Sequence, residues 1–100
     1  MNLEKTELIN SLLDIYGNLL TPYQQEIMDL YYQENLSLKE IADEKEVSRN
    51  AIFTLITRVE KILINYEEKL HLLAKRNKVQ SVIDKLDEKI KEEIESILDE

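Results

Sequence analysis

Apolar residues recur along the chain at helical spacing. The first run is Leu8, Ile9, Leu12, Leu13, Tyr16, Leu19 and Leu20, the i, i+3, i+4, i+7 pattern of one helical face. It predicts a helix over residues 3–20, weakened near its end by Gly17 and Asn18. Thr21-Pro22 restarts the chain, with Thr21 as N-cap, Pro22 at the first helical position and Gln24 and Gln25 in the first turn. This second helix carries Ile27, Met28, Leu30, Tyr31 and Tyr32 to about Glu34, and Asn35-Leu36 is the break. Ser37-x-x-Glu40 is a capping box that opens a short third helix, with Leu38, Ile41 and Ala42 facing inward. Ser48 caps a fourth helix after Lys45-Glu46-Val47. Its apolar positions are Ile52, Ile56, Val59, Leu63, Tyr66, Leu70 and Leu73, with heptad steps from Ile56 onward. That pattern predicts a helix to about Arg76, on the order of 40 Å long at 1.5 Å per residue. Leu55 and Ile62 widen its apolar face. Arg76-Asn77-Lys78 is the expected break before a final helix carrying Val79, Val82, Ile83, Leu86, Ile90, Ile94 and Ile97.

Composition narrows the class. With 43% hydrophobic and 34% charged residues in 100, the chain has the balance of a small globular protein rather than a disordered one. One Gly and one Pro exclude a many-turned β architecture. There is no Cys, hence no disulfide, thiolate nucleophile or cysteine-based zinc site, and the single His71 excludes a multi-histidine metal site. No run approaches the roughly 20 apolar residues of a membrane span, and a polar, acidic stretch follows Met1 in place of a signal peptide. The expectation is a soluble, cytoplasmic, all-α protein without cofactor or metal. Enzymatic chemistry has no nucleophile–base pair or Gly-rich phosphate loop to stand on. The acidic pairs Glu67-Glu68, Asp87-Glu88 and Glu92-Glu93 are expected to form a solvated face with Lys85, Lys89 and Lys91 interleaved.

The stretch from Leu38 to Ile56 has the layout of a helix-turn-helix. Ile41 and Ala42 form one inner face, and the small Ala lets the next helix cross closely. Val47 plugs the turn, Ser48 caps the following helix, and Ile52 and Ile56 return to the core. Glu46 stands where many such turns carry Gly for its left-handed backbone, which predicts a longer or looser turn. Around this motif lie Lys39, Ser48, Arg49, Asn50, Phe53, Thr54, Thr57, Arg58 and Lys61, the candidate nucleic-acid-binding residues. Arg49 and Asn50 suit base edges or phosphate, and Ser48 with the free helix amides suits a phosphate. Against this stands a net charge of −8, whereas nucleic-acid-binding domains are commonly basic. A second cluster, Lys69, His71, Lys75, Arg76 and Lys78, contains no acid and carries +4 with His neutral. It reads either as a phosphate contact or as cations placed at a helix C-terminus. Tyr16, Tyr23, Tyr31, Tyr32 and Phe53 read either as stacking platforms for bases or, more commonly for such aromatics, as packing in the core or at a dimer seam; Phe53 lies off the apolar stripe and is the candidate expected to be exposed.

Leu20-Thr-Pro-Tyr-Gln-Gln-Glu-Ile-Met-Asp-Leu-Tyr-Tyr, Leu36-Ser-Leu-Lys-Glu-Ile-Ala-Asp-Glu and Val47-Ser-Arg-Asn-Ala-Ile together resemble region 4 of the bacterial sigma-70 factors. The closer resemblance is to the YlxM family of small helix-turn-helix proteins, which Glu60-Lys-Ile-Leu and Tyr66-Glu-Glu-Lys-Leu-His-Leu also resemble. It spans roughly residues 8–75. The resemblance implies a bacterial cytoplasmic protein, usually encoded beside the signal recognition particle GTPase. It further implies a regulatory role in protein targeting through that particle's RNA or GTPase.

The expected architecture is a helix-turn-helix domain over residues 1–76 with a long terminal helix, followed by a charged amphipathic helix over residues 77–100. Leu63, Tyr66, Leu70, Leu73, Ile83, Leu86 and Ile90 form a seam that predicts a homodimer or an intramolecular hairpin. Three functions remain open: a DNA- or RNA-binding regulator, an accessory of the signal recognition particle, and a protein-interaction module that keeps the shape without binding DNA. No membrane association is expected.

Overall fold

The computed structural model describes residues 2–100, and these are all-helical with no strand. The helices are α1 (Leu3–Tyr16), α2 (Pro22–Tyr32), α3 (Leu38–Lys45), α4 (Arg49–Leu70), α5 (Leu72–Ile83) and α6 (Glu88–Leu98). A 3-10 turn (Gly17–Leu19) follows α1, where Gly17 and Asn18 weaken the α-helical pattern.

The helix starts follow the capping chemistry of the sequence. Asn2 opens α1, its side-chain oxygen accepting from the Glu4 and Lys5 amides at 2.8 and 3.2 Å. Thr21 and Gln24 form a reciprocal capping box at α2, with bonds of 3.0 and 3.2 Å. Ser37 and Glu40 do the same at α3, at 3.0 and 3.1 Å. The Ser37 amide holds the exposed Glu40 carboxyl below its ordinary pKa, and the Ser37 side chain adds to this. Each cap satisfies amides that have no partner within the helix.

The turn between α3 and α4 is tight, contrary to the expectation of a loose one. Glu46 adopts the left-handed conformation itself, with φ 57° and ψ 42°. The Val47 amide then donates to the Ala42 carbonyl at 3.0 Å, which closes the helix end in the Schellman manner. A left-handed backbone costs a residue with a Cβ about 1–2 kcal/mol, which the packing on either side must offset. Val47 covers the turn only in part, since it remains 42% exposed.

The chain divides into two compact units on either side of the Leu70–His71 junction. In the first, α4 packs against α1, α2 and α3. Ile52, Ile56, Val59 and Leu63 of α4 are buried, as are Ile9, Leu12 and Tyr16 of α1, Ile27, Met28 and Tyr32 of α2, and Ile41 and Ala42 of α3. Ala42 presents only a methyl group where α3 and α4 meet. The predicted motif and most of the predicted core are therefore in place, but Leu8 and Leu19, expected on the inner face of the first helix, remain 42% and 58% exposed.

Past Leu63 the predicted boundaries shift. The fourth helix ends at Leu70 instead of Arg76, because His71 takes a left-handed conformation at φ 55°. His is among the non-glycine residues found more often there. Arg76-Asn77-Lys78 lies inside α5 and is not a break. The single final helix is instead two: α5 ends at Ile83, and Asp87 caps α6 by accepting from the Ile90 amide at 3.2 Å. In this second unit Ile83 is the only buried side chain. Gln80 links α5 to α6 by donating to Glu95 at 3.1 Å, and it also donates to Asp84 at 2.9 Å. Asp84 pairs with Lys91 at 3.5 Å, and these partners, Gln80 foremost, hold its carboxyl below the usual pKa.

Candidate nucleic-acid interface

Asn50, Phe53, Thr54, Thr57, Arg58 and Lys61 fall at i, i+3, i+4, i+7, i+8 and i+11 on α4, one continuous stripe. All are exposed except Thr57, which is half-buried. This is the side of α4 away from Ile52, Ile56, Val59 and Leu63. Phe53, Thr54, Thr57, Arg58 and Lys61 line a shallow groove of about 320 Å³. Phe53 is 52% exposed, as its position off the apolar stripe predicted.

The remaining candidates lie outside that stripe. Arg49 is exposed in the first turn of α4, and Lys39 is exposed on α3. Ser48 lies at the turn, where its hydroxyl oxygen accepts from the Ala51 amide at 3.0 Å. The cap therefore uses the Ser48 oxygen, which leaves only its hydroxyl hydrogen for a phosphate.

The charge on this surface differs from that of the chain as a whole. No Asp or Glu occurs between Glu46 and Glu60. Glu60 is drawn into the helix packing: it pairs with Lys5 of α1 at 2.8 Å, and its side chain is only 13% exposed. It also accepts a hydrogen bond from Tyr32 of α2. Burial raises the Tyr32 phenol pKa well above its ordinary value, and the Glu60 carboxylate raises it further. Arg58 and Lys61 make no ion pair among the described residues. A cationic stripe thus stands on a chain of net charge −8.

The second basic cluster is not one helix end. Lys69 sits in the last turn of α4, His71 at the break, and Lys75, Arg76 and Lys78 in the first seven residues of α5. All five are exposed. Cations near a helix N-terminus oppose the macrodipole, so C-terminal placement accounts for Lys69 alone. His71 is exposed but is not the helix residue expected.

Tyr16 and Tyr32 are buried and Tyr31 is half-buried, whereas Tyr23 is 43% exposed. Tyr31 and Tyr32 meet edge to face with ring centroids 5.1 Å apart, and Tyr16 lies 5.7 Å from Tyr66. The predicted seam is used partly within the first unit: Leu63 is fully buried, and Tyr66 packs on Tyr16. Glu67 is no solvated acid, since it accepts from the Tyr16 hydroxyl at 2.6 Å. Lys5, Glu60 and Tyr32 escaped the sequence reading because they lie on three separate helices. Only the one-sided exposure of α4 hinted that an acid within it would turn inward.

No helix among the described residues is long and apolar enough to cross a membrane. Residues 3–100 match the UPF0122 family model, described as "Putative helix-turn-helix protein, YlxM / p13 like". A UPF0122 protein of Exiguobacterium sibiricum is 49% identical over 86 residues, covering 86% of this chain and 81% of the relative. UPF0122 proteins of Bacillus cereus and Bacillus anthracis are 50% identical over 91 residues, covering 91% of this chain and 83% of each relative. The capped α3, the tight left-handed turn and the open face of α4 agree with that description, and the chain belongs to the UPF0122 family of YlxM / p13-like helix-turn-helix proteins.

Proposed function

We propose that this protein is a nucleic-acid-binding regulatory protein that contacts its target with the outward stripe of α4. The observation that carries the proposal is the acid-free surface of Phe53, Thr54, Thr57, Arg58 and Lys61, on the second helix of the motif. Arg58 and Lys61 would neutralise phosphates, while Arg49 and Asn50 at the start of α4 would reach bases or the backbone. Lys39, exposed on α3, is offered as a further phosphate contact. The basic residues Lys69, His71, Lys75, Arg76 and Lys78 are offered as a second phosphate contact. A place in the signal recognition particle pathway, through its RNA or its GTPase, rests on the family resemblance. A homodimer rests on Leu70, Leu86 and Ile90, which remain 46%, 38% and 44% exposed. Light scattering at twice 11.8 kDa would support the dimer, and a monomeric mass would remove it.

The test is fluorescence anisotropy of the full chain against a mixed-sequence DNA duplex and the signal recognition particle RNA, at low and physiological salt. Binding is expected to weaken with salt. In the Arg49→Ala, Arg58→Ala double variant the slope of log affinity against log salt on duplex DNA should fall by about 1.8, at ~0.9 per phosphate contact. Unchanged binding in that variant removes the assignment of α4. Absence of binding to both ligands by correctly folded protein would favour the protein-interaction reading, with the particle's GTPase as the first candidate.

A further inference from the structure

We infer that the α4 stripe takes an unpaired base, with Phe53 as its stacking platform, so that the ligand is a single-stranded segment of nucleic acid. This rests on the nucleic-acid reading above and narrows it. Phe53 is the only aromatic residue on the stripe, and half of it faces solvent. A ring held open at a protein surface costs hydrophobic free energy unless something covers it. Its groove is otherwise lined by two cations and two threonines. That setting suits an anionic, flat-faced ligand better than an apolar helix.

Within a duplex, base faces are covered by their neighbours, and a side chain in the major groove meets only base edges and the thymine methyl group. An exposed aromatic face has its full effect only on a base that is free to swing out. The spacing along α4 fits such a strand. At 1.5 Å per residue, Arg58 lies about 7.5 Å and Lys61 about 12 Å along the helix axis from Phe53. These are distances over which a strand leaving the stacked base can bring successive phosphates to each cation. Asn50, one turn before Phe53 on the same stripe, is placed to donate to or accept from the edge of the stacked base. Of the acids along α4, Glu60 beside the stripe is held by Lys5 and Tyr32, and exposed Glu68 lies about 10.5 Å beyond Lys61 along the axis.

The experiment uses the full chain and 12-nucleotide strands, as RNA and as DNA, each offered single-stranded and as the matching duplex. One position carries the fluorescent base 2-aminopurine. Single strands are expected to bind more tightly than duplexes, and 2-aminopurine emission should be quenched on binding. Phe53→Ala should lose about 5- to 150-fold in affinity for single strands, matching the ~1–3 kcal/mol of base–aromatic stacking. Phe53→Tyr should keep the affinity and the quenching, whereas Phe53→Leu, apolar but without a ring, should lose both. Because Phe53 is outside the core, circular dichroism should be unchanged in all three variants. The RNA and DNA arms distinguish the two sources of such a strand. Duplex-selective binding without quenching, or full single-strand affinity in Phe53→Leu, overturns this inference while leaving the nucleic-acid reading standing. Failure to bind any of the four ligands overturns both.

Discussion

The helices on either side of the Leu70–His71 junction all carry apolar residues at helical spacing but are secured differently. In α1–α4, apolar side chains from four helices converge, and among the described residues thirteen of the fourteen buried hydrophobic ones lie before the junction. In α5 and α6 only Ile83 is buried, while Val82, Ile90 and Ile97 are 59%, 44% and 65% exposed. Helices of 12 and 11 residues are marginal in water without packing. The comparison teaches that amphipathic spacing makes a helix available for packing but does not determine how much of its face is covered. Local stability should follow coverage rather than pattern.

The largest expected effect tests this directly. Leu63→Ala, in the fully buried heart of α4, should cost about 2–5 kcal/mol in a urea titration. Ile83→Ala should instead speed hydrogen exchange in α5 and α6 and leave the protection of α1–α4 unchanged. Equal loss of protection in all six helices would mean that the chain unfolds as one unit.

The polar contacts sharpen the same contrast. Glu60→Ala strips Lys5 of its partner and Tyr32 of its acceptor, and should cost about 1–2 kcal/mol. The same contact has a pH signature. Burial and Glu60 raise the Tyr32 pKa above its unfolded value, so folding keeps the phenol protonated. Its contribution is complete below about pH 10 and is lost as pH rises beyond that. Urea midpoints should therefore fall at alkaline pH, and Tyr32→Phe should flatten that fall.

Backbone strain gives a smaller effect of opposite sign. Glu46→Gly relieves a left-handed backbone at φ 57° and should stabilise the first unit by about 0.5–1 kcal/mol, net of the entropy that Gly adds to the unfolded chain. A loss of stability would mean that the Glu46 side chain contributes more than its backbone costs. The smallest effect belongs to the second unit: Lys91→Ala breaks only a partly exposed pair with Asp84, at 3.5 Å, and should change stability by about 0.5 kcal/mol.

Much of the fold was legible because its signals are local. Thr21 with Gln24 and Ser37 with Glu40 place helix starts through bonds that span three residues. Ile52, Ile56, Val59 and Leu63 mark the inner side of α4, and that marking also brings Asn50, Phe53, Thr57 and Lys61 to one outer face. Glu67 departs from the expected solvated face because its partner, Tyr16, is 51 positions away in the chain. The helix ends after Leu63 depart from expectation for a different reason: heptad spacing runs through His71, and no residue nearby is a strong breaker.

Helix caps and periodicity are written within a few residues, so the helical class, the motif and the inward side of each early helix follow from the chain alone. That Glu60 pairs with Lys5 and that Glu67 meets Tyr16 came only with the packing of α1 against α4. Those outcomes depend on which distant groups meet. A charge that meets a partner is withdrawn from the surface, and that withdrawal leaves a cationic stripe on an acidic protein.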